Sequence, residues 1–326
     1  FIDEKLAAGD IANELKEVTQ EVDVHMAIDG AHMECVECHI TERHEIMGNL
    51  YSIASENTNR LRCAHCHTEQ PHQDNTLNRH VRKVSCQTCH IPTYAKESHT
   101  KMYWDWSRAG QFKEDGSLLV RKDSSGNIVY HSKKGAFVWE NNVKPDYIWF
   151  NGKAEHYLLG EKVDSIRPIP LNQLYGNYHD KESRIIPVKK HIANQPYDPI
   201  NRTIILPHLF GKDSMAYWKN FDWDKAARHG MQYVDLPYSG TYDFIETVMY
   251  WPINHMVAPA DQSLQCADCH ARDSRLKSLT GFYLPGRDHN NLLDLLGYAL
   301  LIASFAGVLI HALLRLKNNN KSVKNN

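Results

Sequence analysis

The sequence predicts mainly short α-helices and loops wrapped around stacked prosthetic groups, with a minor β-hairpin and one C-terminal transmembrane helix. Three observations predict it. All eight cysteines of the 326-residue chain fall in Cys-x-x-Cys-His pentapeptides. Three of the four pentapeptides crowd into residues 35–90, too little polypeptide to build an ordinary core. Leu295 to Leu314 reads as twenty residues without a charge, the length a helix needs to cross the hydrocarbon layer.

The pentapeptides come first. They are Cys35-Val-Glu-Cys38-His39, Cys63-Ala-His-Cys66-His67, Cys86-Gln-Thr-Cys89-His90 and Cys266-Ala-Asp-Cys269-His270. Two thiols three positions apart can form thioethers to the two vinyl groups of one porphyrin, while the adjacent imidazole turns inward as the proximal iron ligand. Disulfides or structural zinc would not need a histidine after every second cysteine. The spacing therefore predicts four covalently bound haems c, with His39, His67, His90 and His270 as proximal ligands, and the fold class of a multihaem cytochrome c. The porphyrins would supply the apolar interior around which the chain wraps.

Such attachment happens outside the cytoplasm, so residues 1–290 are expected to form an extracytoplasmic, periplasmic tetrahaem domain. A hydrophobic content of 42% excludes disorder, and the formal net charge is only −2. Haem propionates make the surface more negative still, which speaks against nucleic acid as a partner. The chain begins at Phe1 without a charged n-region and apolar h-region, so an export signal has been removed or the numbering starts within a longer precursor.

The cysteine-free stretch 91–265 separates the third and fourth motifs. Leu118 to Tyr130 reads as two β-favouring runs about a Ser-Gly-Asn turn, the predicted hairpin. Prolines at 145, 168, 170, 187, 196, 199 and 207 favour extended loops with short elements. Trp104, Trp106, Trp139, Trp149, Trp218, Trp223 and Trp251 all fall here. Their wide rings suit core packing, the cover of porphyrin faces, or a substrate or partner groove. The fourth motif is expected to fold back toward the first three.

The transmembrane helix is placed at 291–316, followed by a cytoplasmic basic tail at 317–326. Asp294 precedes the apolar run, and Arg315, Lys317, Lys321 and Lys324 follow it without an acidic residue, which puts the C-terminus in the cytoplasm. His311, inside the span, is read either as a contact to a quinone or a partner's haem b, or as an interfacial side chain snorkelling toward headgroups.

Sixth ligands decide between electron relay and catalysis, because a second histidine closes the iron to substrate. Histidines near the motifs are His25, His32, His44, His65, His72, His80, His99 and His255. Met26 and Met256 each stand beside a better placed histidine, so low-potential bis-histidine haems are expected.

The run Asp23-Val24-His25-Met26, His44-Glu-Ile-Met-Gly48, Gln-Pro71-His72, Leu77-Asn78-Arg79-His80, His90-Ile-Pro92, Trp104-Asp-Trp-Ser107 and Tyr250-Trp-Pro-Ile-Asn-His255-Met-Val-Ala-Pro259 together resemble the octahaem tetrathionate reductase family of multihaem cytochromes c over residues 20–272. The resemblance covers the C-terminal, four-haem half of that family's pattern. It implies the electron-relay half, since the family's lysine-ligated catalytic haem belongs to the earlier half. Lys83, Lys96 and Lys101 carry no mark of a ligand.

Resemblance and spacing together single out five distal ligands, His25, His44, His72, His80 and His255, for four irons. One of the five would then reach a haem outside this chain, with His25 or His44 flanking the first motif as the candidates. His72, His80 and His255 would close haems within it.

Two function classes follow. One is a membrane-anchored cytochrome passing electrons between a quinone or cytochrome b-type partner and periplasmic acceptors. The other is a reductase of sulfur or nitrogen oxyanions, of tetrathionate, nitrite or hydroxylamine type, with an open or partner-supplied catalytic haem. Expected partners are the membrane quinone or cytochrome b-type subunit and other multihaem cytochromes or a haem-bearing N-terminal half.

Overall fold

A computed structural model describes residues 18–42, 44–48, 60–164 and 167–324. Residues 1–17, on which the expectation about the chain start falls, lie outside it. The chain divides into two compact units, Phe1–Gln265 and Cys266–Asn326.

In the first unit the elements around the haem motifs are short, as expected. Helix α1 is Cys35–Cys38, the β1–β2 hairpin pairs Thr41–Glu42 with Glu45–Ile46, helix α2 is Asn75–His80 and helix α3 is Cys86–His90. Beyond Ile91 the expectation of mainly helices gives way to a sheet. Its strands are β3 (Thr100–Asp105), β4 (Val120–Lys122), β5 (Ile128–His131), β6 (Gly135–Glu140), β7 (Asp146–Phe150), β9 (Ile169–Pro170), β11 (Arg184–Asp198), β12 (Thr203–Ile204) and β13 (Asp243–Pro252). A separate pair joins β8 (Ala154–His156) to β10 (Asn172–Leu174).

The sheet runs β4-β5-β6-β3-β11-β13-β9, with β7 and β12 also on β11. The predicted hairpin is β4–β5, and its turn is closed by Asp123, whose carboxylate accepts from the Ser125 and Asn127 backbone N–H groups at 2.9 Å each. The rest of the sheet carries no local signature, because two of the prolines sit in β11. Pro187 and Pro196 take part through the acceptor they retain: their carbonyls accept from the Ile253 and Ile205 N–H groups at 3.0 Å each.

Residues 91–265 also bury their own side chains, so they do not depend on porphyrin for a core. Phe150, Ala154, Ile186 and Val188 form one cluster, and Val163, Ile169, Ile204 and Ile245 another. Trp149 and Trp223 are buried, and Trp106 and Trp218 pack against the cluster formed by Tyr217, Trp223 and Ala226. Trp104 stacks on Trp106 at 4.5 Å, Trp106 meets Trp223 edge-on at 6.1 Å, and Trp223 stacks on Tyr217 at 4.0 Å. Tyr217 opens helix α4 (Tyr217–Asn220), and Trp223 opens helix α5 (Trp223–Tyr233), whose N-cap Asp222 accepts from the Lys225 N–H at 3.1 Å.

The sheet positions the haem motifs. Thr88 of α3 is fully buried and donates its hydroxyl to the Ile185 carbonyl of β11 at 2.8 Å, and the Ser85 N–H reaches the same carbonyl at 2.9 Å. β13 runs antiparallel to β11 from Tyr197↔Asp243 to Val188↔Pro252 and ends three residues before His255. One strand thus fixes the third motif and its neighbour delivers the distal candidate His255. The next contact along the chain is the Leu264 N–H on the Cys89 carbonyl, at 2.9 Å.

The second unit begins with helix α6 (Cys266–Cys269). Arg287 organises the loop after it, donating to the carbonyls of Leu276, Leu279 and Phe282 and pairing with Asp288 at 2.6 Å. Helix α7 then runs Asn291–Lys324. Its segment Asn291–Lys317 is long and apolar enough to cross a membrane: an 18-residue window within it has a mean hydropathy of 2.1, with none of that window buried in the protein. His311 lies within it.

Candidate haem-binding sites

Each pentapeptide is wound as one helical turn. The N–H of His39, His67 and His270 each donates to the carbonyl of the first cysteine of its motif at 2.8 Å, and His90 closes α3 in the same way. Residues three and four apart share one face of a turn, so the two thiols and the imidazole project together. None of the eight cysteines is paired in a disulfide. The Cys63 and Cys86 side chains lie against each other, so the second and third motifs adjoin.

Three proximal histidines are paired with three distal candidates. His39 faces His255 with ring centroids 6.2 Å apart, His67 faces His25 at 6.1 Å, and His90 faces His72 at 6.2 Å. This spacing tests the fit of a haem. An iron–imidazole bond is about 2 Å and the ring centre lies about 1 Å beyond its nitrogen, so rings on opposite faces of one iron have centroids about 6 Å apart. A direct stack of two imidazoles would be closer, at about 4–5 Å. The surroundings fit as well. Ile28, Val36, Ile40, Ile46, Leu61 and Leu77 are between 36% and 66% exposed around the motifs, an apolar surface that porphyrins would cover.

The rings are held by named contacts. His39 donates from Nδ1 to the Met47 carbonyl at 2.9 Å, which leaves Nε2 for iron. The next residue, Gly48, has φ +76°, and a Cβ there would lie 3.1 Å from the His39 ring. The fourth motif repeats the device: His270 Nδ1 meets the Pro285 carbonyl at 3.0 Å, and Gly286 follows with φ +86°. His72 is clamped by Asn78, whose side chain accepts from the His72 N–H at 3.0 Å and donates to its carbonyl at 2.7 Å.

Asp23 holds the backbone beside two distal candidates, His25 and His255, at once. It is 3% exposed. One carboxylate oxygen accepts from the His25 and Met26 N–H groups at 2.9 and 3.4 Å, the other from the Met256 and Val257 N–H groups at 2.7 and 3.2 Å. The His25 Nδ1 lies 3.7 Å from the same carboxylate. Burial works to raise the Asp23 carboxyl, but the His25 side chain and the N–H groups of His25, Val257 and Met256 outweigh it and hold it at about 2. Asp23 in turn pushes His25 up, whereas burial pushes His255 and His90 down, toward the neutral form that ligates iron.

His44 and His80 are not in these three pairs. His44 is exposed at the β1–β2 turn with φ +68°, and His80 closes α2 with its Nδ1 on the Thr76 carbonyl at 2.8 Å. His25, one of the two candidates for a haem outside the chain, stands against His67. The three lysines are engaged elsewhere. Lys83 donates to the Tyr178 and Asp180 carbonyls and Lys96 to those of Glu21 and Val22, while Lys101 sits over the Trp104 ring at 4.1 Å. Nothing local in the sequence marks Asp23 or Asn78 as positioning residues, because their roles rest on backbone contacts, those of Asp23 reaching as far along the chain as Met256 and Val257.

The family model described as cytochrome c, bacterial, matches residues 101–273, more than half of the chain. No curated protein matches. The crystal structure of octaheme cytochrome c from Shewanella oneidensis is similar with a TM-score of 0.73 and 41% identity, covering 80% of this chain and 60% of that one. The chain thus spans about three fifths of that relative's length, and the resemblance expected from the motifs is met. With four Cys-x-x-Cys-His turns, three facing histidine pairs and this match, the chain is a multihaem c-type cytochrome and belongs to the bacterial cytochrome c family.

Proposed function

We propose that this chain relays electrons through four haems c, held by the four cysteine pairs, and that α7 anchors it in the cytoplasmic membrane with the haem units on the periplasmic side. The observation that carries the proposal is the spacing of the three histidine pairs, which suits irons closed on both faces. Haem iron supplies one-electron exchange between ferric and ferrous states. The protein's part is to hold neutral imidazoles on both sides, exclude a sixth-position substrate and bring neighbouring motifs together, as the Cys63–Cys86 contact does. Low potentials follow from two histidines per iron, which suits a donor at the level of a quinone or a cytochrome b-type subunit and a periplasmic acceptor.

His44, exposed and outside the three pairs, is assigned to a haem of a partner multihaem cytochrome or a haem-bearing N-terminal half. A second reading, reduction of sulfur or nitrogen oxyanions, draws on the similarity to octaheme cytochrome c. It would place the open haem outside the three closed pairs.

Anaerobic reduction followed by addition of tetrathionate, nitrite or hydroxylamine separates the two. A relay is reoxidised by small redox mediators and cytochromes but not catalytically by these three compounds. Sustained turnover with any of them by the isolated chain would refute the relay and favour the reductase.

A further inference from the structure

His208, Asp213 and His229, all from the cysteine-free stretch 91–265, converge with one ligand atom from each lying within 4.8 Å of the others. His208 Nε2 is 3.0 and 3.2 Å from the two Asp213 carboxylate oxygens, and the His208 and His229 rings are 4.6 Å apart at 58°. We propose that this trio binds a divalent transition-metal ion of the zinc class, with a water on the fourth position.

The donor set chooses the ion. Two imidazoles and one carboxylate suit zinc and its borderline neighbours, whereas calcium and magnesium want oxygen ligands. In a tetrahedral site with bonds of about 2 Å the ligand atoms stand about 3.3 Å apart, so closing from the present separations takes side-chain torsions alone.

The backbone is built to bring the three together. The His208 N–H donates to the Ala226 carbonyl of α5 at 2.9 Å, and the His208 carbonyl accepts from the Tyr217 N–H at 2.9 Å, so the segment carrying His208 is pinned between α4 and α5. His229 follows on α5, beside Gly230. A Cβ at 230 would lie 1.9 Å from the Leu206 carbonyl oxygen, so only glycine lets the helix approach the strand of chain bearing His208.

Gly211 carries the argument further. A Cβ there would lie 2.5 Å from an Asp213 carboxylate oxygen and 3.1 Å from His208 Nε2, so any other residue would project among the ligand atoms. A plain His208–Asp213 ion pair would need neither the third ligand nor the bare position at 211.

The test uses the haem-loaded chain, stripped with a chelator, equilibrated with zinc chloride and freed of loose metal by gel filtration, with zinc and iron counted by mass spectrometry. One zinc per chain is expected, retained in excess magnesium and calcium. His229→Gln and Asp213→Asn should each weaken it by about tenfold or more, a cost at least that of losing a supporting contact to a bound metal. Gly211→Val should block the ion while keeping all three ligands, and an unchanged haem spectrum in each variant shows that the fold is kept. Wild-type protein that retains no zinc, zinc displaced by magnesium, or equal retention in His229→Gln would overturn the proposal.

Discussion

Asp23→Ala is the perturbation with the widest expected consequence, because one buried carboxylate holds the backbone on either side of two distal histidines. The substitution takes the acceptor from four N–H groups, those of His25, Met26, Met256 and Val257. At about 1 kcal/mol for each lost bond, and more where the donor stays buried, the loss comes to about 3–5 kcal/mol. Asp23→Asn keeps the shape but offers one acceptor oxygen, which can serve the His25 side or the Met256 side and not both, at a cost of about 1–3 kcal/mol.

The spectroscopic signature is more specific than the stability loss. A loosened His25 frees the iron of the second motif and a loosened His255 that of the first, so Asp23→Ala should open two haems to carbon monoxide. Ligand titration of the reduced protein counts them, and chemical denaturation gives the stability. A variant that stays fully low-spin, binds no carbon monoxide and loses less than about 1 kcal/mol would refute the shared-clasp argument.

Replacing His255 with alanine should leave a single high-spin haem that binds cyanide or carbon monoxide; an unchanged low-spin spectrum would remove His255 from the axial ligands. Gly48→Val should destabilise the protein by about 1–3 kcal/mol and disturb the first haem, since it forces a side chain into a left-handed backbone against the His39 ring; wild-type melting and wild-type haem absorption would contradict this. Removing residues 291–326 should give a soluble protein with its haems retained, and sedimentation with membranes after a high-salt wash would show that α7 is not the anchor.

The haem motifs, the apolar helix and the β4–β5 hairpin were legible because each is a local pattern. Cysteine spacing, an uncharged run and a turn sequence need no knowledge of what lies across the fold. The sheet was not, because β11 is assembled from partners as distant as Tyr103 and Pro252, and its prolines read locally as breaks although their carbonyls still bond. Pairing of the distal histidines was equally non-local. His25 stands next to the first motif in sequence yet faces His67 of the second, while His255 returns from the end of β13 to face His39. Histidine counting could nominate both residues, but only the fold decides which iron each can reach.

Ring orientation gives the most direct test of the central claim that these pairs are axial ligands. Parallel imidazole planes split the iron orbitals they overlap and give a rhombic low-spin signal, while crossed planes leave those orbitals nearly degenerate and give a strongly anisotropic one. The planes meet at 14° for His72 and His90, 38° for His39 and His255, and 69° for His25 and His67. Electron paramagnetic resonance of the oxidised chain should therefore show a rhombic species that disappears in His72→Ala and a strongly anisotropic species that disappears in His25→Ala. Oxidised protein whose spectrum is dominated by high-spin iron, or in which neither variant removes its assigned signal, would contradict the account.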